Sequence, residues 1–248
     1  MSGDRKVVVV LGGSGRLGSE VIRLLPAVNY CIVNVSSSEN SNLPEQVIQH
    51  AMEILDFDKF FKTLESISNR FGKIYALINF AGRSTRKRTH FISANETLNS
   101  FASEVMILLN LAEIITKQRN LFAEKFRLID IGSLWSENTP RSSVYLDLGN
   151  EPDVSVLLAK SAKKRIIEYL AGYFSEFNVL ANQVTPGWFP RPSNNPRPDY
   201  IRGIESLIPM SRIGQPTELL PAIEFLLNEE NSYTNGHELV VDGGFRVH

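Results

Sequence analysis

The segment Gly12-Gly13-Ser14-Gly15-Arg16-Leu17-Gly18 follows an apolar run, Val7 to Leu11, and leads into a stretch of helical period. Glycines at a strand-to-helix turn let the backbone come close to a pyrophosphate. The start of the helix adds N–H donors and the positive end of its dipole. Further along, Arg83-Ser84-Thr85-Arg86-Lys87-Arg88 holds four cations. Arginine forks suit phosphate and carboxylate, so this run reads either as a clamp for an acidic or phosphorylated substrate or as a solvated surface stretch. Tyr145, Asp147, Glu151 and Asp153 share one irregular stretch, which offers a phenol and three carboxylates. The histidines at 50, 90, 237 and 248 show no metal-ligand spacing, and Cys31 is the single cysteine. No metal is expected, and no disulfide within the chain. Cys31 sits in the apolar run Tyr30-Cys31-Ile32-Val33 and reads as a buried small hydrophobe.

The elements that must position these residues are legible as a rhythm. Apolar runs at Val7 to Leu11, Cys31 to Val35, Tyr75 to Phe80, Phe126 to Ile131, Val179 to Val184 and Leu239 to Val241 read as strands buried on both faces. Helical candidates lie between them, at Glu20 to Leu25, Asp58 to Phe71, Asn99 to Thr116, Ser161 to Phe174 and Thr217 to Asn228. In the second, Phe61, Leu64, Ile67 and Phe71 are spaced for one face. In the fourth, Ile166, Ile167, Leu170, Tyr173 and Phe174 fall on one side. Pro216 marks the start of the last. Strand and helix alternating from end to end predict an α/β fold: a Rossmann-type, doubly wound parallel sheet in three αβα layers, as one domain over residues 1–248. Such folds bind ligands at the C-terminal edge of the sheet. Two irregular stretches, Trp135 to Asp153 and the proline-rich Gly187 to Ile208, follow strands and so belong over that edge.

Composition narrows the function classes. The chain has 248 residues, 43% hydrophobic and 21% charged, with 26 Lys plus Arg against 27 Asp plus Glu. A net charge of −1 gives no electrostatic footprint for nucleic acid or an anionic membrane. No apolar run approaches the roughly 20 residues that span a bilayer. No cleavage-site pattern precedes the first strand, and the expected location is the cytoplasm.

Taken in order, several short motifs resemble the short-chain dehydrogenase/reductase family. They are the glycine-rich turn, Asn79-Phe80-Ala81-Gly82, Ile131-Gly132-Ser133, Ala159-Lys160-Ser161-Ala162, Pro186-Gly187 and Val240-Val241-Asp242-Gly243-Gly244. Ile208 to Glu218 resembles the family's segment before its last helix, and Tyr233-Thr234-Asn235-Gly236 the turn after it. The resemblance covers essentially the whole chain. It implies a bound NAD or NADP and hydride transfer between nicotinamide and a carbonyl or alcohol. It further implies an Asn-Ser-Tyr-Lys set. In that set Tyr is the acid/base, Lys lowers its pKa and holds the ribose, Ser orients the substrate oxygen, and Asn holds a water in a proton relay. Ser133 and Lys160 match that serine and lysine. Gly12, Ser14, Gly15, Arg16, Leu17, Gly18, Ser36, Glu53, Asn79, Ala81, Gly82, Lys160, Pro186 and Gly187 are the implied cofactor contacts.

The departures are as informative. The tyrosine belongs four positions before Lys160, where the chain has Val156. The asparagine belongs near Glu104. Phe80 replaces the second asparagine of NNAG, Arg16 the middle glycine of TGxxxGxG, and Leu11 its threonine. A substitute proton donor is then needed, and Tyr145 in the long loop is the candidate, with Lys160 a second if burial depresses its pKa. The insertion with Tyr145-Leu146-Asp147 resembles a family subset found in pathways for surface sugars and other polar metabolites. Asn34 to Ser38 lacks the carboxylate that holds the adenosine ribose in NAD-preferring members, and Arg16 adds attraction for a 2′-phosphate, so NADP is favoured over NAD. The function expected is an NAD(P)-dependent oxidoreductase acting on a small polar alcohol or ketone, sugar-like or acidic, through an atypical site. Two other readings stay open. One is a catalytically degenerate member that binds a dinucleotide, or nothing, as a partner or regulatory protein. The other is non-redox chemistry such as elimination or epimerisation. A homodimer or homotetramer through the long helices is the family expectation.

Overall fold

The computed structural model describes residues 5–82, 93–139, 154–189 and 198–247. Seven parallel strands form one sheet: β1 (Lys6–Leu11), β2 (Tyr30–Ser36), β3 (Ile48–Ala51), β4 (Ile74–Asn79), β5 (Phe122–Ile131), β6 (Val179–Pro186) and β7 (Glu238–Val241). Their order is β3-β2-β1-β4-β5-β6-β7. The helices are α1 (Arg16–Leu24), α2 (Phe57–Phe71), α3 (Ala94–Lys117), α4 (Val154–Tyr173), α5 (Pro198–Glu205) and α6 (Leu220–Leu227). From β1 the chain winds outward to β2 and β3, then returns to the centre at β4. That reversal between β1 and β4 is the switch point at which open α/β sheets leave a crevice.

Alternation along β1 shows how the layers form. Val7, Val9 and Leu11 point into one core with Leu64 of α2, Leu108 of α3 and Ile167 of α4. Val8 and Val10 point into the other, with Val21 of α1 and Ile223 of α6. Both faces of the sheet are therefore covered, in the expected three layers.

Local chemistry fixes the ends of the helices. Asp56 caps α2 by accepting from the Lys59 N–H, and Gly72 closes it at φ +104°. Ser93 and Glu96 make a reciprocal capping box at the start of α3. α3 is long and apolar enough to cross a bilayer by length and composition alone. Here its residues Leu108, Leu111 and Ile115 are buried in the core against the sheet.

The structure departs from the sequence reading in places. Phe60, rather than Phe61, is the fully buried phenylalanine of α2. Tyr173 is 54% exposed and stacks on Tyr169, while Ile167, Leu170 and Phe174 carry the buried side of α4. Cys31 is only half-buried. Within Gly187 to Ile208 lies the short helix α5.

Candidate active site

The glycine-rich turn sits at the switch point. Gly12 has φ +71°, and a Cβ there would stand 2.8 Å from the backbone of Ala81. Only glycine lets the β1 turn and the β4 turn approach this closely. Gly15 is the N-cap of α1, and no side chain caps the helix. A Cβ on Gly18 would meet the Gly12 carbonyl oxygen at 2.9 Å, so this glycine lets the helix pack onto the turn. Arg16 and Leu17 begin the helix. The geometry fits a pyrophosphate held by the start of α1.

The end of β2 is knitted into this turn. The Ser14 N–H donates to Ser36 Oγ at 3.2 Å, the Ser36 hydroxyl to Asn34 Oδ1 at 3.0 Å, and Asn34 Nδ2 to Ser14 Oγ at 3.0 Å. Ser36 and Asn34 are buried. Ser36 thus braces the turn. Glu53 is exposed beyond β3. Asn79 is likewise interior: its Nδ2 donates to Asp130 and its Oδ1 accepts from the Ala81 N–H. It shapes the turn that presents Ala81 and Gly82.

On β5, Ile131 leads through Gly132 to Ser133, which is half-buried and accepts from the Trp135 N–H. On β6, Pro186 pairs with Val241, and the Gly187 N–H donates to the Val241 carbonyl. A Cβ on Gly187 would lie 2.5 Å from Asp242 Cα. Trp188 packs edge-on against Trp135, at 5.9 Å between centroids, and against Tyr200, at 6.4 Å. Lys164 and Arg246 each pair with both Glu137 and Glu238, which ties the loop after Ser133 to β7 and the residues beyond it. Tyr145, Asp147, Glu151, Asp153 and the run Arg83 to Arg88 lie outside the described residues.

The centre of the site is a pair of buried ion pairs. Lys160 Nζ donates to Glu104 Oε2 of α3 at 2.7 Å; their side chains are 16% and 2% exposed. A Cβ on Gly82 would lie 2.5 Å from that same oxygen, so glycine at 82 makes room for the carboxylate. Lys163 meets Asp130 Oδ1 at 2.9 Å, both almost wholly buried. Asn79, Asp130 and Gln183 are register partners on β4, β5 and β6, so their side chains rise on one face. Gln183 Nε2 completes the set by donating to Asp130 Oδ2 at 2.9 Å. Val156, one turn before Lys160, is buried.

Burial pushes the Lys160 ammonium below the ordinary lysine pKa, and the Lys163 charge adds to this. Glu104 and Asp130 oppose it. Sequence reasoning placed Glu104 only as a missing asparagine and did not single out Asp130, Gln183 or the burial of Lys163. A signal existed. Val156, Ala159, Lys163, Ile167 and Leu170 form one stripe at helical spacing, and a lysine on such a stripe needs a buried acid.

Residues 34–246 match a family model described as enoyl-(acyl carrier protein) reductase. That span is most of the chain. The chain belongs to the short-chain dehydrogenase/reductase family. Among its relatives is carbonyl reductase family member 4 of Xenopus laevis, 24% identical over 98% of this chain and 99% of that one. A short-chain dehydrogenase of Leptospira borgpetersenii, solved with bound NAD+, superposes with a TM-score of 0.84 at 20% identity, covering 98% of this chain and 93% of that one. A gluconate 5-dehydrogenase of Burkholderia cenocepacia, in complex with NADP and tartrate, gives 0.82 at 18% identity, covering 99% and 96%. These likenesses carry the fold: a seven-stranded parallel sheet built as this family builds it.

Proposed function

We propose that this protein is an NAD(P)-dependent oxidoreductase that interconverts a small polar alcohol and ketone. One observation carries the reading. At the β1–β4 switch point, the Gly12 turn and the uncapped start of α1 form a phosphate cradle beside Ala81 and Gly82. The start of α1 would hold the pyrophosphate, Ala81, Gly82 and Gly187 would line the nicotinamide side, and Lys160 would reach the ribose. A bound dinucleotide supplies or accepts the hydride. Ser133, at the end of β5, orients the substrate oxygen. NADP is favoured because Asn34 to Ser38 holds no carboxylate to repel a 2′-phosphate and Arg16 stands at the start of α1. A polar, acidic or sugar-like substrate agrees with the polyhydroxy acid acted on by the gluconate 5-dehydrogenase neighbour.

A second reading, a partner or regulatory protein without turnover, is favoured by Val156, which puts a buried apolar side chain where the family keeps its tyrosine. Calorimetric titration with NADPH and, separately, NADH tests the proposal. The expected result is micromolar binding of NADPH, tighter than NADH. No binding of either overturns the oxidoreductase reading.

A further inference from the structure

We propose that Lys160 Nζ is the proton-exchanging atom of this site and that Glu104 is the residue that positions it, the pair together doing what the family assigns to a tyrosine. The inference rests on the oxidoreductase reading and names the part that Val156 leaves unfilled.

Four charges stand in one cluster: Glu104 from α3, Lys160 and Lys163 from α4, and Asp130 from β5. Glu104 is 2% exposed, Lys163 1% and Asp130 0%. Lys160 alone among these four reaches solvent, at 16%. Any proton passing between the cluster and a substrate therefore passes through Nζ. Glu104 cannot serve directly, because its carboxylate lies buried against Gly82 with Lys160 in contact with it. It does fix where Nζ stands. An ammonium has three donors, and the Glu104 bond uses one, which leaves two for a ribose hydroxyl and a substrate oxygen. The electrostatics suit the task. A lysine in water holds its proton too tightly to exchange it near neutral pH; burial and the Lys163 charge weaken that hold, and Glu104 keeps the ammonium from being lost altogether.

The proton step balances simply. On reduction, the carbonyl oxygen becomes negative as its carbon gains the hydride that a reduced nicotinamide dinucleotide supplies. One N–H bond of the Lys160 ammonium breaks, an O–H bond forms, and the electron pair stays on nitrogen. The neutral amine then regains a proton from solvent at its exposed side. Oxidation runs the same exchange in reverse.

The test is a titration of Lys160 in the full chain by competitive labelling with acetic anhydride, read by mass spectrometry of the peptide that carries it. The expected midpoint lies below the ordinary lysine value of about 10.4. In Glu104→Gln it falls further, because a neutral amide no longer supports the ammonium. An ordinary midpoint, no labelling at any pH, or a midpoint that stays or rises in Glu104→Gln overturns the proposal. The wild-type midpoint stands on its own if Glu104→Gln does not fold. A second arm uses Lys160→Arg, which keeps the cation but cannot release a proton. It should retain NADPH binding and lose turnover on a panel of ketoses and 2-keto acids by about 100-fold or more. Wild-type turnover in Lys160→Arg overturns the proposal. Failure of the wild-type chain to bind NADPH or NADH overturns the oxidoreductase reading instead, and the Lys160 titration still reports separately.

Discussion

Replacing Lys163 with methionine leaves Asp130 buried with its ammonium partner gone. Breaking a buried pair from one side costs about 3–5 kcal/mol, because a charge remains without compensation. Asp130 keeps two neutral partners, Asn79 at 2.7 Å and Gln183 at 2.9 Å, which places the expected cost near the lower end, about 3 kcal/mol. For a chain of this size each kcal/mol moves Tm by about 2–4 °C, so the variant should melt about 6–12 °C lower. Methionine fills much of the lysine's volume, so little of the loss comes from a cavity. The assay is urea denaturation and calorimetry at neutral pH on four proteins: wild type, Lys163→Met, Asp130→Asn and the double variant. The double variant removes both charges of this pair and should be more stable than the sum of the single losses by about 2 kcal/mol. A Lys163→Met loss below about 1 kcal/mol, or strictly additive losses, would refute the claim that these two charges depend on one another.

Gly12→Ala must adopt φ +71° and place a Cβ 2.8 Å from Ala81; it should lose about 1–3 kcal/mol and all dinucleotide binding, and calorimetric binding at the wild-type level would contradict the cradle. Hydrogen bonds from Arg212 and the Gln215 N–H hold the Glu218 carboxyl down at about 2. A lowered folded pKa gives stability that is present above the unfolded value of about 4.5 and lost as pH falls toward 2. Glu218 is 38% exposed, so the effect is screened to well under about 1 kcal/mol. The Tm gap between wild type and Glu218→Gln should therefore be small at neutral pH and close under acid, and a gap that widens under acid would contradict this. Leu98, Met106 and Leu109 on α3 and Leu158 and Tyr169 on α4 are exposed. Light scattering should find a dimer or tetramer through these helices, and Leu158→Glu should shift it toward monomer; a monomeric wild type at tens of micromolar rules this out.

Much of the scaffold was legible because buried parallel strands are written as continuous apolar runs. Val7 to Leu11 and Phe126 to Ile131 needed no tertiary information. The edge strand β3 was not among those runs. Its Ile48-Gln49-His50-Ala51 is only half-covered, so its sequence carries no such run. The proline-rich stretch hid α5, because Pro198 opens the helix rather than breaking it. In the site, the glycine-rich turn, Ser133 and the four-residue step from Val156 to Lys160 could be read directly. The contact between Glu104 and Lys160 could not, since these residues lie 56 apart in sequence and meet only through the packing of two helices. Asp130 was hidden in an apolar strand whose register with β4 and β6 only the sheet reveals.

That register has a consequence for the lifetime of the folded molecule. Asn79 and Gln183 lie 51 and 53 residues from Asp130, and Lys163 belongs to a different element again. The four side chains meet only where β4, β5, β6 and α4 come together, so their bonds are expected to form late in folding, an expectation that the unfolding and refolding rates of Lys163→Met would check. Interactions absent from the folding barrier leave the refolding rate unchanged and act wholly on escape. A loss of about 3 kcal/mol there corresponds to unfolding roughly 100-fold faster with refolding untouched. The buried carboxylate works as a latch: it does not guide the chain to its native state, but it sets how long the chain stays there.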